Sequence, residues 1–420
     1  MKFQNLSNKK IAIWGKGKEG LSTFNCLTKK AKPKEIVFIE ENNIQDLYNC
    51  DILIKSPGVS LYRDEIKKAQ EKGIYCTSPT NLFLKNKNEK TKIIAVTGTK
   101  GKSTTSSLLY HTLSSLGLNV KLGGNIGTPL LDLIDEEADY IIAELSSYQA
   151  ADLRGEIEIA VLTNLYHEHI QWHQTHEQYY MDKINLLNQS KISVINGKQD
   201  TSIQYAAHLN KFFFNKESGI YFQDNFFYDQ AQKLFSTTIL PLKGEHNLEN
   251  ATAVLTVLKL LNINPIKAQN AFTTFKALPH RLQSLGKKNG VLYIDDSIST
   301  TPETSLAAVK AFDNNQFITL FIGGFDRKQN YAVLIEFLKQ IKQRVLLICL
   351  PDTGHTAFLL AQKEGINAIK VNTIQEGVQI AKERTLQNGI VILSPGAPSY
   401  NQYKNFEERG LDFKKNIFDE

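Results

Sequence analysis

Cysteine is scarce in this chain: four residues among 420, at Cys26, Cys50, Cys76 and Cys349. They lie far apart and form no C-x-x-C pair, so they read as free thiols of a reducing compartment rather than a disulfide framework. Long apolar runs are missing too. Stretches such as Val345 to Leu350 are far too short to span a bilayer. Met1 to Lys10 lacks the shape of a signal peptide and leads straight into a strand. No internal repeat and no long low-complexity tract is found. The charge balance is not extreme either. A net charge of +6 fits polyanionic small ligands as well as nucleic acid and decides little. The expectation is a soluble cytoplasmic protein, monomeric, with neither nucleic acid nor membrane as a partner.

What is present is ample material for cores, with 42% hydrophobic residues. The length suggests two to four domains. Apolar strand-like runs alternate with helical patterns along the chain. Ile11 to Trp14, Ile36 to Ile39 and Asp51 to Ile54 make a small Rossmann-like unit in residues 1–90. The polar run Lys85 to Lys90 reads as a linker. A second segment, 91–277, carries strands at Lys92 to Val96, Tyr140 to Ala143 and Ile159 to Leu162. Within it, residues 200–240 read as β-hairpins without an assignable function. A third segment, 278–420, has strands at Val291 to Ile294, Phe317 to Ile322, Val345 to Leu350 and Ile390 to Leu393. The expected fold is α/β in three domains around a shared cleft: a Rossmann-like N-terminal domain, a central P-loop ATPase-type domain and a Rossmann-like C-terminal domain.

The most informative motif is Gly98-Thr99-Lys100-Gly101-Lys102-Ser103-Thr104, between the Lys92 to Val96 strand and a helix-patterned run from Thr105. Strand, glycine-rich loop and helix N-terminus in that order cradle phosphate, because backbone N–H groups and the helix dipole both favour anions. Lys102 can reach the outer phosphates and the Ser103 hydroxyl can ligate Mg²⁺. The spacing departs from G-x-x-x-x-G-K-[ST], which would need glycine at Val96. A second glycine pattern, Gly15-x-Gly17-x-x-Gly20, with an acidic residue near Glu40, fits a dinucleotide fingerprint. It equally fits a bare strand–helix turn, a nicotinamide dehydrogenase or a loop for another nucleotide diphosphate.

Three further stretches carry chemistry. The loop Gly123 to Pro129 offers the Asn125 side chain to phosphate or a metal-bound oxygen, or is an ordinary turn. Glu144 ends an apolar strand, where a hard Mg²⁺ would accept it beside Ser103. Asn164 to His176 holds four of the nine histidines. They lack a zinc-type ligand spacing. Of these, His169 is the candidate functional residue, and His167, His173 and His176 read as solvated loop histidines. Asn247 and Asn250, one turn apart at a helix start, read as caps. Lys183 sits in an amphipathic run that permits either a surface or a buried lysine.

Taken in order, these motifs resemble the muramoyl ligase family of peptidoglycan synthesis nearly end to end. The matching residues are Gly98 to Thr104, Gly124 to Gly127, Glu144 to Ser147, Asn164 with Glu168 and His169, Asp182-Lys183, Gly244 to Asn250, Leu278 to Arg281, Asp295 to Ser297 and Ser394 to Ser399. The resemblance is nearest to members that add glutamate to UDP-N-acetylmuramoyl-L-alanine through an acyl phosphate. It implies ATP on Gly98 to Thr104, with Asn247 and Asn250 at the adenine and Arg281 and Asp296 at the phosphates and ribose. It implies two Mg²⁺ sites, one on Ser103 and Glu144, the other on His169 and a CO₂-derived carbamate on Lys183. Catalytic roles fall to Lys102, Asn125, His169 and Lys183. The UDP substrate would meet Gly15, Gly17, Gly20, Ser56, Pro57, Gly58 and Asn125. Glutamate would meet Thr300, Lys328, Ser399 and Phe406.

The chain also departs from the common pattern. The usual D-glutamate enzymes read Asp-Ser-Lys-Ala-Thr where this chain has Asp296-Ser297-Ile298-Ser299-Thr300. This and other local differences resemble a branch associated with L-glutamate addition, and L-glutamate is the expectation over D-glutamate. Folylpolyglutamate synthase is disfavoured by the complete N-terminal nucleotide-type segment. A dehydrogenase built on Gly15 to Gly20, or a non-enzymatic nucleotide-binding regulator, stays open at this level.

Overall fold

The computed structural model describes residues 1–242, 244–276 and 279–419. The expected boundary at 277/278, and Leu278 of the Leu278 to Arg281 motif, lie outside the described residues. The chain divides into two compact units, Met1–Pro241 with Glu245–Phe275, and Leu242–Gly244 with Lys276–Glu420.

The first unit holds two sheets. One is β1 (Lys10–Trp14), β2 (Glu35–Ile39), β3 (Ile52–Lys55) and β4 (Tyr75–Thr77), all parallel in the order β2-β1-β3-β4. The other comprises β5 (Lys92–Thr97), β6 (Val120–Gly124), β7 (Tyr140–Glu144), β8 (Ile157–Leu162), β9 (Ser190–Asn196), β10 (Lys211–Phe214), β11 (Ile220–Gln223), β12 (Phe226–Asp229) and β13 (Gln232–Ser236). Their order is β13-β12-β11-β10-β9-β8-β5-β7-β6. Parallel strands flanked by helices are covered on both faces, so they appear as continuous apolar runs. β3 and the last five residues of β5 are buried throughout. In each sheet the strand before a glycine-rich loop, β1 or β5, lies between neighbours on opposite sides of the chain reversal. Ligands of open α/β sheets bind at such switch points, beyond the carboxyl ends of the strands.

Residues 200–240 are only partly as expected. They open on a short helix, Asp200–Tyr205, before the hairpins β11–β12 and β12–β13. The expected linker is also shorter than its polarity implied. Lys85 and Asn86 close the helix Pro79–Asn86, which Ser78 caps by accepting from the Asn81 N–H. That helix ties the two sheets into one unit. Asn81 Nδ2 donates to the Asp152 carbonyl at 2.8 Å, and its Oδ1 accepts from the Arg154 N–H at 2.7 Å. A continuous apolar core joins Ile11, Ile54, Leu82 and Phe83 to Ile93, Leu153 and Ile184.

The second unit is one sheet of β14 (Gln283–Lys288), β15 (Val291–Asp295), β16 (Ile318–Gly324), β17 (Val345–Asp352), β18 (Asn367–Lys370) and β19 (Ile390–Leu393). The order is β14-β15-β19-β16-β17-β18, parallel except for β14. Apolar clusters cover both faces.

Asn81→Ala removes partners from two backbone groups where the sheets of the first unit meet. It is expected to lower unfolding free energy by about 1–3 kcal/mol in urea titration. An unchanged midpoint would contradict this joint.

Candidate functional site

The loop after β5 is shaped by two glycines. Gly98 has φ 147°, and a Cβ there would stand 1.9 Å from Thr163 Oγ1. Gly101 has φ 81°, and its Cβ would stand 2.4 Å from Asn250 Oδ1. Side chains are therefore excluded on both counts: handedness and space. The helix Lys102–Ser115 starts directly after Gly101, so its first N–H groups point at the loop. Asn164 fastens the other side: its Oδ1 accepts from the Lys100 N–H at 2.8 Å, and its Nδ2 donates to the Lys100 carbonyl at 3.1 Å. Lys100 Nζ pairs with Glu168. Lys102 Nζ folds back onto the carbonyls of Gly98, 2.9 Å, and Thr99, 3.0 Å. Ser103 is half-buried and Thr104 buried.

One strand over, β5 and β7 pair Val96 with Glu144. Glu144 is 1% exposed; its Oε1 accepts from Asn125 Nδ2 at 3.0 Å, while Oε2 is buried without a hydrogen-bond partner. Asn125 also donates its backbone N–H to the Glu144 carbonyl at 2.8 Å. A buried carboxylate oxygen with nothing to accept suits a hard cation, so the donor set of Glu144 and Ser103 fits Mg²⁺ chemistry. Among the described residues, no group of three His, Cys, Asp or Glu side chains is clustered as a ready-made metal cage.

Lys183 is buried on the helix His176–Asn188, which removes the surface alternative. Its Nζ donates to the Gly98 carbonyl at 2.8 Å, the same oxygen that Lys102 uses. Burial first, and then the neighbouring Lys102, push the amine well below the usual lysine range. A neutral amine is what reaction with CO₂ requires, so Lys183 fits a carbamate. His169 has φ 57° and meets the Tyr148 hydroxyl through Nδ1 at 2.9 Å. Crowding lowers its pKa, burial leading. Because 48% of its side chain stays open, solvent screening makes that depression smaller than full burial would produce.

His173 corrects the expectation of a solvated loop. It is fully buried, with Nδ1 2.5 Å from Asp182 Oδ2 and Nε2 2.9 Å from Ser147 Oγ. Asp182 Oδ1 also accepts from the Tyr62 hydroxyl at 2.6 Å. Serine, histidine and aspartate follow the order of an acyl-transfer triad. With Ser147 only 2% exposed, however, no carbonyl substrate reaches the hydroxyl. The network instead fixes the helix bearing Lys183 to the first sheet's loops. His167 and His176 stack at 3.9 Å. Asn247 and Asn250 are inside the helix Glu245–Leu260, past any cap position, and Asn250 Nδ2 donates to Asn247 Oδ1 at 3.3 Å.

The loops after β1 and β3 meet. Ser56 Oγ donates to the Gly15 carbonyl at 3.1 Å, and a Cβ on Gly20 would stand 1.9 Å from that same oxygen. The Pro57 carbonyl accepts from Trp172 Nε1 at 3.1 Å. Gly17 and Gly58 face open space. Lys18 Nζ reaches the Gly127 carbonyl at 2.7 Å, joining this loop to the one bearing Asn125.

In the second unit, Asp296 is buried, accepting from the Leu282 N–H at 3.1 Å and Ser394 Oγ at 2.7 Å. Burial raises its pKa to about 7, with Arg281 opposing. Thr300, Lys328 and Ser399 sit on the loops beyond β15, β16 and β19, three adjacent strands. Thr300 and Lys328 are exposed, Ser399 is buried, and Phe406 opens the helix Phe406–Phe418 with its ring 6.0 Å from His280. Sequence reasoning missed the contacts of Tyr62, Ser147, His173 and Arg409, each of which has a partner outside its own element. The adjacency of Asp182 to Lys183 was the one available signal.

The Mur ligase middle domain model matches residues 96–258. A UDP-N-acetylmuramoyl-L-alanine–L-glutamate ligase of Xylella fastidiosa (strain Temecula1) is 32% identical, with 98% of this chain and 96% of that protein covered. A protein of the same name from Salinispora tropica is 30% identical, with 100% and 99% covered. Among solved structures, the UDP-N-acetylmuramate–alanine ligase MurC of Thermotoga maritima superposes with TM-score 0.63 at 18% identity, covering 96% of this chain and 98% of that one. The MurF ligase of Thermotoga maritima in complex with ADP gives 0.60 at 17%, covering 99% and 96%. At these identities the two structures speak for the fold.

Lys183→Met is expected to raise the thermal midpoint of metal-free, CO₂-depleted protein at pH 7, since the Gly98 carbonyl keeps Lys102 as donor. An unfolded lysine holds its proton up to its ordinary pKa of 10.5. Above its lowered folded pKa, the native wild type holds one proton fewer than the unfolded chain. Wild-type stability relative to the variant therefore rises with pH across that window, by up to about 1.4 kcal/mol per unit. A pH-independent difference would contradict the neutral amine.

Proposed function

The chain belongs to the Mur ligase family of ATP-dependent ligases, and from that premise we propose that it joins glutamate to UDP-N-acetylmuramoyl-L-alanine in cytoplasmic peptidoglycan precursor synthesis. The observation that carries this reading is the convergence of Lys102 and buried Lys183 on the Gly98 carbonyl, beside a carboxylate with an unused oxygen. A carboxylate does not acylate an amine at neutral pH unless it is activated first. In the proposed reaction, the alanyl carboxylate oxygen attacks the γ-phosphorus of ATP, giving an acyl phosphate and ADP. The glutamate amine then attacks the acyl carbon, the tetrahedral oxyanion collapses and inorganic phosphate leaves.

The residues divide this work. Backbone N–H groups of Gly98 to Thr104 and the Lys102 ammonium hold the phosphates and offset their crowded charge. Asn247 and Asn250, which packs on Gly101, take the adenine side; Arg281 and Asp296 take phosphate and ribose. Ser103 and Glu144 would hold one Mg²⁺, and His169 with a Lys183 carbamate a second; bound metal would supply charge neutralisation at the transferring phosphoryl group. Asn125, held by Glu144, orients the UDP substrate, which rests on the loops of Gly15 to Gly20 and Ser56 to Gly58. Thr300, Lys328, Ser399 and Phe406 receive glutamate. The L-enantiomer is favoured because full-length relatives bear that name and because Ile298 stands where the D-glutamate enzymes have lysine. D-glutamate is the second reading. The enzyme acts as a monomer.

The test is incubation with ATP, Mg²⁺, UDP-N-acetylmuramoyl-L-alanine and each glutamate enantiomer separately. A product one glutamyl residue heavier is expected, formed faster with L-glutamate; failure with both enantiomers rejects the reading. Lys183→Ala is expected to lose most turnover, about 10²-fold or more, with partial recovery in short carboxylic acids. Near-normal turnover without them would remove Lys183 from the mechanism.

A further inference from the structure

Arg409 is one of the largest side chains enclosed by the protein, 2% exposed on the first turn of the helix Phe406–Phe418. Its Nη2 donates to the Ser297 carbonyl at 2.8 Å and the Ala397 carbonyl at 2.9 Å. Nε is buried without a hydrogen-bond partner. Nη1 lies against the Gly324 backbone, where a Cβ would stand 3.0 Å from it. One guanidinium thus sits where the loops after β15, β16 and β19 converge. Among the described residues no carboxylate reaches ion-pair distance of it. Asp295 and Asp296 act on it through space only. Each is already engaged, Asp295 with His280 and the Ser297 N–H, Asp296 with Ser394 and the Leu282 N–H. Burial lowers the guanidinium pKa to about 10, which leaves it charged at neutral pH.

An enclosed cation without a direct ion pair relies on backbone carbonyls and on more distant charge, here the Ser297 and Ala397 carbonyls with Asp295 and Asp296 acting through space. The loop Asp296 to Thr301 carries no cation of its own, since Ile298 occupies its centre. We infer that Arg409 is the positioning residue that sets the Ser297 and Ala397 loops and supplies the fixed positive charge by which the second unit selects an amino acid bearing a second carboxylate. This rests on the reading that the second unit receives glutamate. Backbone carbonyls occupy Nη2, so the selection works through loop placement and field, with Thr300, Lys328 and Ser399 making the contacts.

The test compares wild type, Arg409→Met and Arg409→Lys for kcat and KM toward glutamate, glutamine, ATP and the UDP substrate, with thermal midpoints as a folding control. Arg409→Met is expected to reduce the glutamate-over-glutamine ratio of kcat/KM by about tenfold or more, with KM for ATP unchanged. Arg409→Lys keeps the charge but loses the two-carbonyl bridge; the ratio should stay near wild type while KM for glutamate rises about tenfold. A wild-type ratio in Arg409→Met overturns the proposal. Should that variant not fold, Arg409→Lys decides: an unchanged KM for glutamate, or one rising in step with KM for ATP, overturns it. Wild type inert toward glutamate removes the underlying reading and this one with it. An active wild type with unaltered selectivity in a folded Arg409→Met, or with unchanged KM for glutamate in Arg409→Lys, removes only this one.

Discussion

Two lysine amines share one backbone oxygen, and the arrangement of the first unit depends on how that contact is made. The Gly98 carbonyl accepts from both Lys102 and Lys183. Two full ammonium charges at one carbonyl repel each other. Burial resolves the conflict by disfavouring the charge on Lys183. The carbonyl can face inward only because Gly98 adopts a conformation closed to residues with side chains. A backbone requirement at one glycine thus separates two chemically identical amines. Burial and the neighbouring Lys102 press the charge off Lys183, so the two amines differ in how readily each holds its proton.

Around that contact, supports are drawn from distant parts of the chain. Asn164 braces the loop from β8, Asn250 packs on it, and Glu144 stands one strand away with an unsatisfied oxygen. A series running from half-buried Tyr62 to buried Asp182, His173 and Ser147 holds the Lys183 helix as well. Its members are polar and satisfy one another, and three of the four are buried, so loss of one would strand the rest. Such networks rigidify; here the rigid object is the lysine-bearing helix.

The phosphate loop was legible in the sequence because its constraints are local. Two glycines, a lysine and a serine between a strand and a helix leave few conformations. Parallel strands were legible for a related reason: burial on both faces writes a continuous apolar run, as in Ile52 to Ile54 and Val345 to Leu350. The misses have the opposite character. β18 is a half-exposed edge strand and β14 an antiparallel edge with only partial burial, so neither carries a strong pattern. His173 looked like any loop histidine, because its partners are Asp182, on the following helix, and the more distant Ser147. The amphipathic setting of Lys183 allowed either fate, and only tertiary packing decided. Arg409 lies among charged neighbours in sequence and gave no sign of enclosure.

The central claim is that ATP activates a carboxylate for attack by an amino acid amine on this scaffold. Its most direct test follows one oxygen atom. UDP-N-acetylmuramoyl-L-alanine labelled with ¹⁸O in its alanyl carboxylate is turned over with ATP and glutamate, and the phosphate released is weighed. Transfer of one label from carboxylate to inorganic phosphate is the result predicted, because the carboxylate oxygen bridges to phosphorus and departs with it. Amide product accompanied by unlabelled phosphate would contradict the account.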